Sequence, residues 1–446
     1  MRIPSPKNVR YLRIGGGRSC WTLTSVVSKS STSFPGGVAV SVRFRAKPMD
    51  RAMNDLSRRW RSMTVGCVLE LEGRAPSVDE LRRHVATRLD ALPRLTHYLK
   101  GPGLRPHWEY DPRLDMDARV REKTLDPGDR EYAATLAELP AIPLPATGPP
   151  WDMWLLRGHA EGRFAIAYRA HHTTHDGAGV AHSLHTLFAE AEPKSVPHNA
   201  SGKPGPAAFR DVAAKVVGSL AVNNIWNDPN RPMHGTRTDA RIRVSTDSLR
   251  PDVTVPDGRS RDTVLARLTA ALRTWSEEYW PPAVGRPIPA LAMVDLHRAD
   301  EVHLPGNLFT FAPFSLPCHL DDPARQWEHV IAAARTQRDP RHRAAMRVLH
   351  DVTPARVLQQ HILQVLSPPR AIVCTSHLSV YRPLSFQGAP VTEIVPFSTL
   401  PSNCPISMFS GAYNGVTNVF FAVDTAFPGL HELPRLWQRA AVPVRG

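Results

Sequence analysis

The stretch that decides the fold is Arg169-Ala170-His171-His172-Thr173-Thr174-His175-Asp176-Gly177-Ala178-Gly179, which holds three histidines, one aspartate and two glycines. Upstream, residues 163–168 place apolar side chains on one face with a period of two, which predicts a strand. Downstream, apolar residues recur at helical spacing and predict a helix: Val180, Leu184, Leu187 and Phe188. The histidines are therefore expected where a strand ends and a helix begins, on backbone that a sheet can hold still.

This junction is suited to proton transfer. An imidazole with an ordinary pKa of about 6.5 can accept a proton near neutral pH. His171 and His172 are adjacent in an extended segment, so their side chains point to opposite faces and only one can reach a given substrate. Asp176 is placed to hold the turn by bonding backbone amides or an arginine. Gly177 and Gly179 are expected where backbone packs or bends closely.

Two other chemistries fit the sequence less well. Either strand-end histidine, with His175, has a spacing found in metal sites on helices, but the segment is predicted to be a turn and no HExxH pattern is present, so no metal is expected. A serine nucleophile would need a Gly-x-Ser-x-Gly elbow, which is missing, and Cys374 lies in an apolar run typical of a buried strand. Direct proton abstraction is favoured over covalent catalysis.

Composition narrows the class of protein. The 446 residues carry a net charge of +14, but residues 1–47 hold nine basic and no acidic side chains, which leaves 46 basic and 41 acidic residues in the rest. No nucleic-acid-binding pattern accompanies this charge, so no nucleic-acid partner is expected. The five scattered cysteines indicate no disulfide framework, and no apolar run is long enough to span a membrane. A cytoplasmic protein is expected, with peripheral attachment to a membrane or lipid droplet left open.

The chain is predicted to have four parts. Residues 1–47 form a basic extension, either disordered or upstream of a true start near Met49; their composition resembles a transit peptide, which is less favoured. Residues 48–192 form a first domain that carries the histidines, 193–261 a proline-rich crossover with one helix over residues 207–220, and 262–446 a second domain.

Several elements within these parts can be placed. A strand is predicted over residues 63–71, followed by a capping box at Ser77 and Glu80 that opens a helix. The apolar face of this helix is expected to carry Leu81, Val85, Leu89 and Leu92. In the second domain we expect a helix over residues 263–279 and strands over 290–296, 371–375 and 416–423.

The segment His171–Gly177 resembles the HHxxxDG motif of the acyl-CoA-dependent acyltransferase superfamily, which includes chloramphenicol acetyltransferase and peptide-synthetase condensation domains. Flanking segments are similar to those of bacterial wax ester synthase/diacylglycerol acyltransferases over about residues 48–440. These segments are Pro48-Met49-Asp50-Arg51-Ala52-Met53, Pro149-Pro150-Trp151-Asp152-Met153-Trp154-Leu155-Leu156, Asp262-Thr263-Val264-Leu265-Ala266, Gly306-Asn307-Leu308-Phe309 and residues 413–419 with 428–430.

The resemblance implies an α/β (α+β) fold of two chloramphenicol-acetyltransferase-like domains, each a mixed sheet flanked by helices, with the motif at the centre of a channel between them. The substrates would be an acyl-CoA or acyl-carrier thioester and a hydroxyl acceptor, with no cofactor. His172 would deprotonate the acceptor, Asp176 would hold the loop, and His171 and Gly177 would support them. Asp262 and Asn307 would be structural or channel residues of the second half.

The acceptor is the least determined part of this interpretation. The family implies diacylglycerol or a long-chain alcohol, giving triacylglycerol or wax ester. Three segments depart from the family's pattern: Arg261-Asp262 stands for Asn-Asp, Met293–Arg298 for a Val-Pro-Val-Ser-Val-Arg-like strand, and Thr375–Ser379 for Asn-Val-Pro-Gly-Pro. A condensation-type enzyme acting on a specialised-metabolite hydroxyl or amine, and a non-catalytic scaffold, remain alternatives. Acyl chain length and oligomeric state are not indicated.

Overall fold

A computed structural model describes residues 44–58, 63–101, 106–190, 204–218, 237–246, 249, 260–298, 300–398, 401 and 404–440. The predictions for residues 1–43 and for most of the crossover lie outside the described residues.

The described chain alternates helices and strands. Its helices are α1 (Pro48–Ser57), α2 (Val78–Ala86), α3 (Pro93–Thr96), α4 (Met116–Arg119), α5 (Asp129–Glu138), α6 (Gly177–Phe188), α7 (Pro206–Gly218), α8 (Ser260–Tyr279), α9 (Pro323–Arg338), α10 (Pro340–Val352), α11 (Ala355–Val365) and α12 (Leu433–Arg439). Its strands are β1 (Phe44–Arg45), β2 (Thr64–Glu72), β3 (His97–Lys100), β4 (His107–Tyr110), β5 (Val120–Thr124), β6 (Trp151–Ala160), β7 (Arg163–His171), β8 (Arg237–Ser245), β9 (Ile288–Asp295), β10 (Phe309–Leu316), β11 (Val373–Ser379), β12 (Ser385–Phe386), β13 (Ala389–Phe397), β14 (Ile406–Tyr413) and β15 (Val416–Asp424).

The strands form two six-stranded sheets and one small sheet. The first sheet has the order β12-β13-β2-β7-β6-β5 and the second has the order β10-β9-β11-β14-β15-β8, while β1, β4 and β3 make a three-stranded sheet. Both large sheets are mixed, because β5 runs parallel to β6 in the first and β11 runs parallel to β9 and β14 in the second. This confirms the predicted class of two mixed sheets with helices.

The backbone crosses from the second sheet to the first and back again. After β11 the backbone leaves the second sheet, adds β12 and β13 to the edge of the first sheet beside β2, and returns as β14. Strand β8, within the predicted crossover, pairs with β15 of the second sheet. The boundaries at 192 and 261 stay a prediction, and the exchange is a feature that the sequence division did not include. It ties the second half to the sheet that carries the histidines.

Local sequence explains most element boundaries. The capping box is present, since the Glu80 N–H donates to Ser77 Oγ at 3.2 Å and the Ser77 N–H to Glu80 Oε2 at 2.7 Å. The predicted continuation of this helix through Leu92 is wrong. Helix α2 ends at Ala86 and is followed by a 3-10 turn over Leu89–Ala91, and Pro93 disfavours a helical conformation at Leu92. Within the described residues, no helix has the length and apolar character to cross a bilayer.

Candidate active site

The histidine motif begins where β7 ends. The last residue of β7 is His171, and the backbone N–H of His172 donates to Met63 O at 2.6 Å, which fixes the end of the strand against the segment before β2. Asp176 is the N-cap of α6 and its Oδ1 accepts from the Gly179 N–H at 2.9 Å. The predicted strand, turn and helix are thus present, with a carboxylate holding the helix start.

His172 is oriented by one residue from the second half of the chain. Its Nδ1 lies 3.2 Å from Asn307 Oδ1, and Asn307 Nδ2 donates to Thr173 O at 2.8 Å. Because Thr173 O can only accept, the amide nitrogen faces it and the amide oxygen faces the imidazole. The Nδ1 atom therefore carries the ring proton, and Nε2 keeps the lone pair that a general base needs.

Two buried carboxylates hold the segment that carries Asn307. The Asn307 N–H donates to Asp50 Oδ1 at 2.8 Å, and the Leu308 N–H donates to Asp176 Oδ2 at 2.8 Å. Asp50 also accepts from the Lys47 N–H at 2.8 Å and from Trp108 Nε1 at 3.2 Å. We call Asp50, Asp176 and residues 306–308 the clamp.

Gly306 allows the clamp to close. Its φ is +105°, a conformation that L side chains rarely adopt, and a Cβ there would lie 2.4 Å from Asp50 Oδ1. Its N–H donates to Thr174 O at 3.1 Å, so the segment is bonded to the motif turn as well as to both carboxylates. A side chain at this position would separate Asp50 from the backbone that it binds.

Burial sets the protonation of these groups. Burial lowers the pKa of His172, although the charge of Asp176 and hydrogen bonds to its own carbonyl and to Asn307 oppose the shift. Burial raises the pKa of Asp50 above its ordinary range, against the N–H donors around it. Burial alone would raise the pKa of Asp176 too, but His297, the Leu308 N–H and Arg94 bring it below its usual value. Asp176 is thus an anion and His172 a neutral imidazole near pH 7.

The other two histidines of the motif are engaged elsewhere. His175 is fully buried, with Nε2 2.6 Å from the Tyr168 hydroxyl and Nδ1 2.8 Å from Thr174 Oγ1. His171 accepts from the Thr173 N–H through Nδ1 at 3.1 Å, and burial beside His172 lowers its pKa to about 4. Among the described residues, no three His, Cys, Asp or Glu side chains form a group that could hold a metal ion.

The two motif glycines differ. A Cβ on Gly179 would meet Arg94 Nη1 at 1.8 Å, so the predicted close packing is present there. At Gly177 the close packing is absent, because nothing lies within 4 Å of a Cβ and the residue faces open space. Arg94, which the sequence did not single out, is fully buried and donates to Val302 O and, at 2.7 Å, to Leu304 O.

The open space beside Gly177 is a cavity of about 420 Å³. It is lined by α6 on one side and by β9, β11 and β14 of the second sheet on the other, with further residues from α8, α9 and α10. No strand of the first sheet contributes a described lining residue, so a channel between the two domains stays a prediction. His172 is not among its described lining residues. Its ring lies 5.4 Å from the ring of Phe309 and is 5% exposed, so the motif adjoins the cavity through Gly177 and Ala178 and does not lie at its centre.

On the side of the second half the cavity wall mixes polar groups with apolar side chains, which include Val264, Leu265, Met293 and Met408. Ser376, His377 and Ser379 of β11 line it, and His377 Nδ1 lies 2.9 Å from Ser410 Oγ on β14. Burial, followed by the charge of Arg261, lowers the pKa of His377 to about 4. This imidazole therefore contributes hydrogen bonding and no charge near neutral pH.

Asp262 lies behind this wall. It is fully buried in the first turn of α8, accepts a hydrogen bond from Arg338 and lies 4.0 Å from Arg261 Nε. Both arginines line the cavity. Of the two second-half residues singled out from the sequence, Asn307 therefore contacts His172, whereas Asp262 contacts arginines of the cavity.

Several residues that contact the motif were not predicted from the sequence, because they reach it through long-range contacts. Asp50 and Arg94 approach the motif from the first half, and His297 Nε2 lies 3.8 Å from Asp176 Oδ2 while its Nδ1 is 2.7 Å from Asp295 Oδ1. Asp50 lies in one of the segments that resemble the family. Nothing in the surrounding sequence indicated its contact with Asn307, which is 257 positions away.

Comparison with solved structures identifies the class of fold. The wax ester synthase/diacylglycerol acyltransferase from Marinobacter aquaeolei VT8 superposes with a TM-score of 0.60 at 19% identity, covering 89% of this chain and 97% of that one. The first condensation domain of the CDA synthetase gives 0.59 at 15% identity, covering 89% and 94%. The fold is that of the chloramphenicol-acetyltransferase-like acyltransferases, with two related sheet-containing domains in one chain.

Sequence comparison then identifies the family. Residues 47–279 match the wax ester synthase/diacylglycerol acyltransferase catalytic domain, and residues 305–440 match the WS/DGAT C-terminal domain. A candidate diacylglycerol O-acyltransferase of Mycobacterium tuberculosis (strain ATCC 25618 / H37Rv) is 25% identical over 399 residues, covering 84% of this chain and 83% of its own length. The chain belongs to the wax ester synthase/diacylglycerol acyltransferase family and is an acyltransferase of that type.

Proposed function

We propose that this protein transfers the acyl group of an acyl-CoA to a hydroxyl acceptor and that His172 is the general base. The observation that carries the proposal is the contact between His172 Nδ1 and Asn307 Oδ1 at 3.2 Å, which leaves Nε2 unprotonated. The lowered pKa of His172 supports it, because a neutral imidazole is the form that accepts a proton.

The acyl group passes directly from the thioester to the acceptor, without a covalent intermediate on the enzyme. Nε2 of His172 takes the proton of the acceptor hydroxyl while the oxygen attacks the thioester carbonyl. The tetrahedral intermediate then expels the CoA thiolate, which takes the proton back from His172, so that an ester and free CoA leave and the enzyme is unchanged. General-base assistance of this kind contributes roughly 100- to 10,000-fold in rate, and alignment of the two bound substrates supplies a further part. No cofactor enters this scheme.

The remaining motif residues position the base. Both carboxylate oxygens of Asp176 accept from backbone N–H groups, those of Gly179 and Leu308. Asp176 therefore maintains the geometry of the turn, and proton transfer is the role of His172. His171 contributes through its bond to the Thr173 N–H, which shapes the same turn.

Two acceptor classes remain as candidates. The names of the relatives favour diacylglycerol or a long-chain alcohol. The polar groups of Ser376, His377 and Ser379 on the cavity wall favour a polar hydroxyl or amine of a specialised metabolite. We favour the second class, because an alkyl chain could offer no hydrogen bond to the Ser376 and Ser379 hydroxyl groups that face the cavity.

The test is release of free thiol from a panel of acyl-CoAs and acceptors by wild type and by His172→Ala. We expect the variant to lose roughly 100- to 10,000-fold in turnover. His361→Ala, at a half-buried histidine on α11, is the matched control and is expected to match wild type. Equal turnover by His172→Ala and wild type would overturn the role of His172. Release by no pair of substrates would favour a non-catalytic scaffold.

A further inference from the structure

The cavity beside Gly177 receives positive charge from three separate helices. Arg261 of α8, Arg338 of α9 and Arg343 of α10 all line it. Arg343 is buried, with its Nε donating to Gln337 O at 2.9 Å, so its guanidinium is held in place by backbone. A site that takes only alkyl chains would offer these three guanidinium groups no hydrogen-bond acceptor.

Carboxylates are fewer than guanidinium groups among the described lining residues. The single lining carboxylate there is Asp295, which is bonded to His297 Nδ1 at 2.7 Å. Asp262, behind the wall, pairs with Arg338. The described wall therefore presents three guanidinium groups and one carboxylate to the cavity, a composition that suits an anionic ligand.

The size and the rest of the wall point the same way. A volume of about 420 Å³ lies in the lower part of the range for single small-molecule ligands. Hydroxyl groups of Ser376, Ser379 and Ser410 line it, together with apolar side chains that range from Ala292 to Met293. A compact ligand that carries both polar groups and a short apolar part fits this wall.

We infer that the cavity binds an anionic group, carboxylate or phosphate, of the acceptor, so that the preferred acceptor is a compact hydroxy compound with a negative charge. This inference rests on the proposed acyl transfer for its meaning, but the binding itself does not need the chemistry. Guanidinium groups bind both anions through paired N–H donors, and charge-assisted hydrogen bonds of this kind are stronger than neutral ones. Gly177 and Ala178 bound the same cavity, so such an acceptor lies next to the motif turn.

The first experiment is equilibrium binding measured by calorimetry on the full chain. The probes are two matched pairs: 3-hydroxybutyrate against 1,3-butanediol, and glycerol 3-phosphate against glycerol. We expect at least one anionic probe to bind about tenfold or more tightly than its neutral partner. The stronger pair tells whether carboxylate or phosphate is preferred. Equal weak binding within both pairs would overturn the inference.

The second experiment removes the charge. Arg261→Asn places the family-like residue at the start of α8, and Arg343→Gln removes the buried guanidinium; Arg341→Gln, at an exposed position of α10, is the matched control. Each cavity variant is expected to lose about tenfold in affinity for the anionic probe with an unchanged melting temperature, while the control keeps it. Arg261→Asn keeps the test valid if Arg343→Gln fails to fold.

CoA also carries phosphates, and the same variants separate the two sources. If the arginines serve the acceptor, the KM for acyl-CoA and the affinity for free CoA stay at the wild-type level. Weaker CoA binding with unchanged affinity for the acceptor probes would assign the arginines to CoA and contradict the inference. Binding of the anionic probe to His172→Ala keeps the two proposals apart, because it persists if only the catalytic role of His172 is wrong.

Discussion

The clamp and the cavity both adjoin the first turn of α6, and they differ in how their polar groups are used. In the clamp, both oxygens of Asp50 and of Asp176 accept from N–H groups of the same protein, and all of these residues are buried. In the cavity, hydroxyl groups, imidazoles and guanidiniums face a space of about 420 Å³. The polar groups of the clamp are hydrogen-bonded within the protein, whereas those of the cavity face a space that a ligand could enter.

The difference separates two properties of the enzyme. The clamp fixes the position and tautomer of His172, so its failure should reduce activity toward every acceptor and lower stability as well. The polar groups of the cavity wall face open space, so we expect a change in one that is only half-buried to alter the choice of acceptor at nearly constant stability.

The largest effect is expected from Asp50→Ala. The substitution leaves the N–H groups of Lys47, Trp108 and Asn307 without their acceptor, and each unpaired buried group costs about 1–3 kcal/mol. We expect the free energy of unfolding to fall by about 3 kcal/mol or more, measured by urea denaturation. Asp90→Ala, at an exposed position, should leave it unchanged. A loss at Asp50 no greater than at Asp90 would show that the clamp is not a stabilising unit.

A smaller effect on the chemistry is expected from Asn307→Ala. Without Oδ1 the proton of His172 is no longer held on Nδ1, so the tautomer that presents Nε2 is less populated. We expect kcat to fall by about tenfold for every acceptor, with a smaller change in KM, because the loss is of one hydrogen bond of about 1–1.5 kcal/mol. Steady-state kinetics with two different acceptors measure this. A loss confined to one acceptor would place Asn307 in the acceptor site.

The pH profile tests the protonation of His172, the proposed base. Burial lowers the pKa of His172, so the unprotonated imidazole persists to lower pH than a free histidine would allow. We expect the acid limb of kcat/KM to lie below the ordinary histidine value of about 6.5, with a plateau above it. Asn307→Asp, which adds a negative charge beside Nδ1, should move the limb to higher pH. A wild-type limb above that value would contradict the assigned environment.

The smallest effect on stability is expected from Ser376→Val in the cavity. The side chain is half-buried on β11, where a β-branched residue suits the strand, so the free energy of unfolding should change by no more than about 0.5 kcal/mol. Turnover should shift toward less polar acceptors. The ratio of kcat/KM for a neutral alcohol and a hydroxy acid measures the shift. A large loss of stability without a change in this ratio would mean that the wall is structural.

Much of the fold could be predicted from periodicity and capping residues. The strand before the motif, the helix after it and the capping box at Ser77 depend on neighbours within a few residues, which the sequence displays directly. The helix predicted to reach Leu92 ended earlier, because a single proline and a 3-10 turn outweighed an apolar pattern. The exchange of β12 and β13 into the first sheet could not be predicted, since a strand's periodicity does not say which sheet it joins.

By itself, the sequence located the strand-to-helix junction, the aspartate that caps it and, through resemblance, the class of reaction. The tertiary structure decided which nitrogen of His172 faces Asn307, that Gly177 borders a cavity and that Asp50 binds the segment that carries Asn307. These properties depend on hydrogen bonds between residues 135 to 257 positions apart, and on the space left between α6 and the second sheet. Neither leaves a periodic trace in the chain.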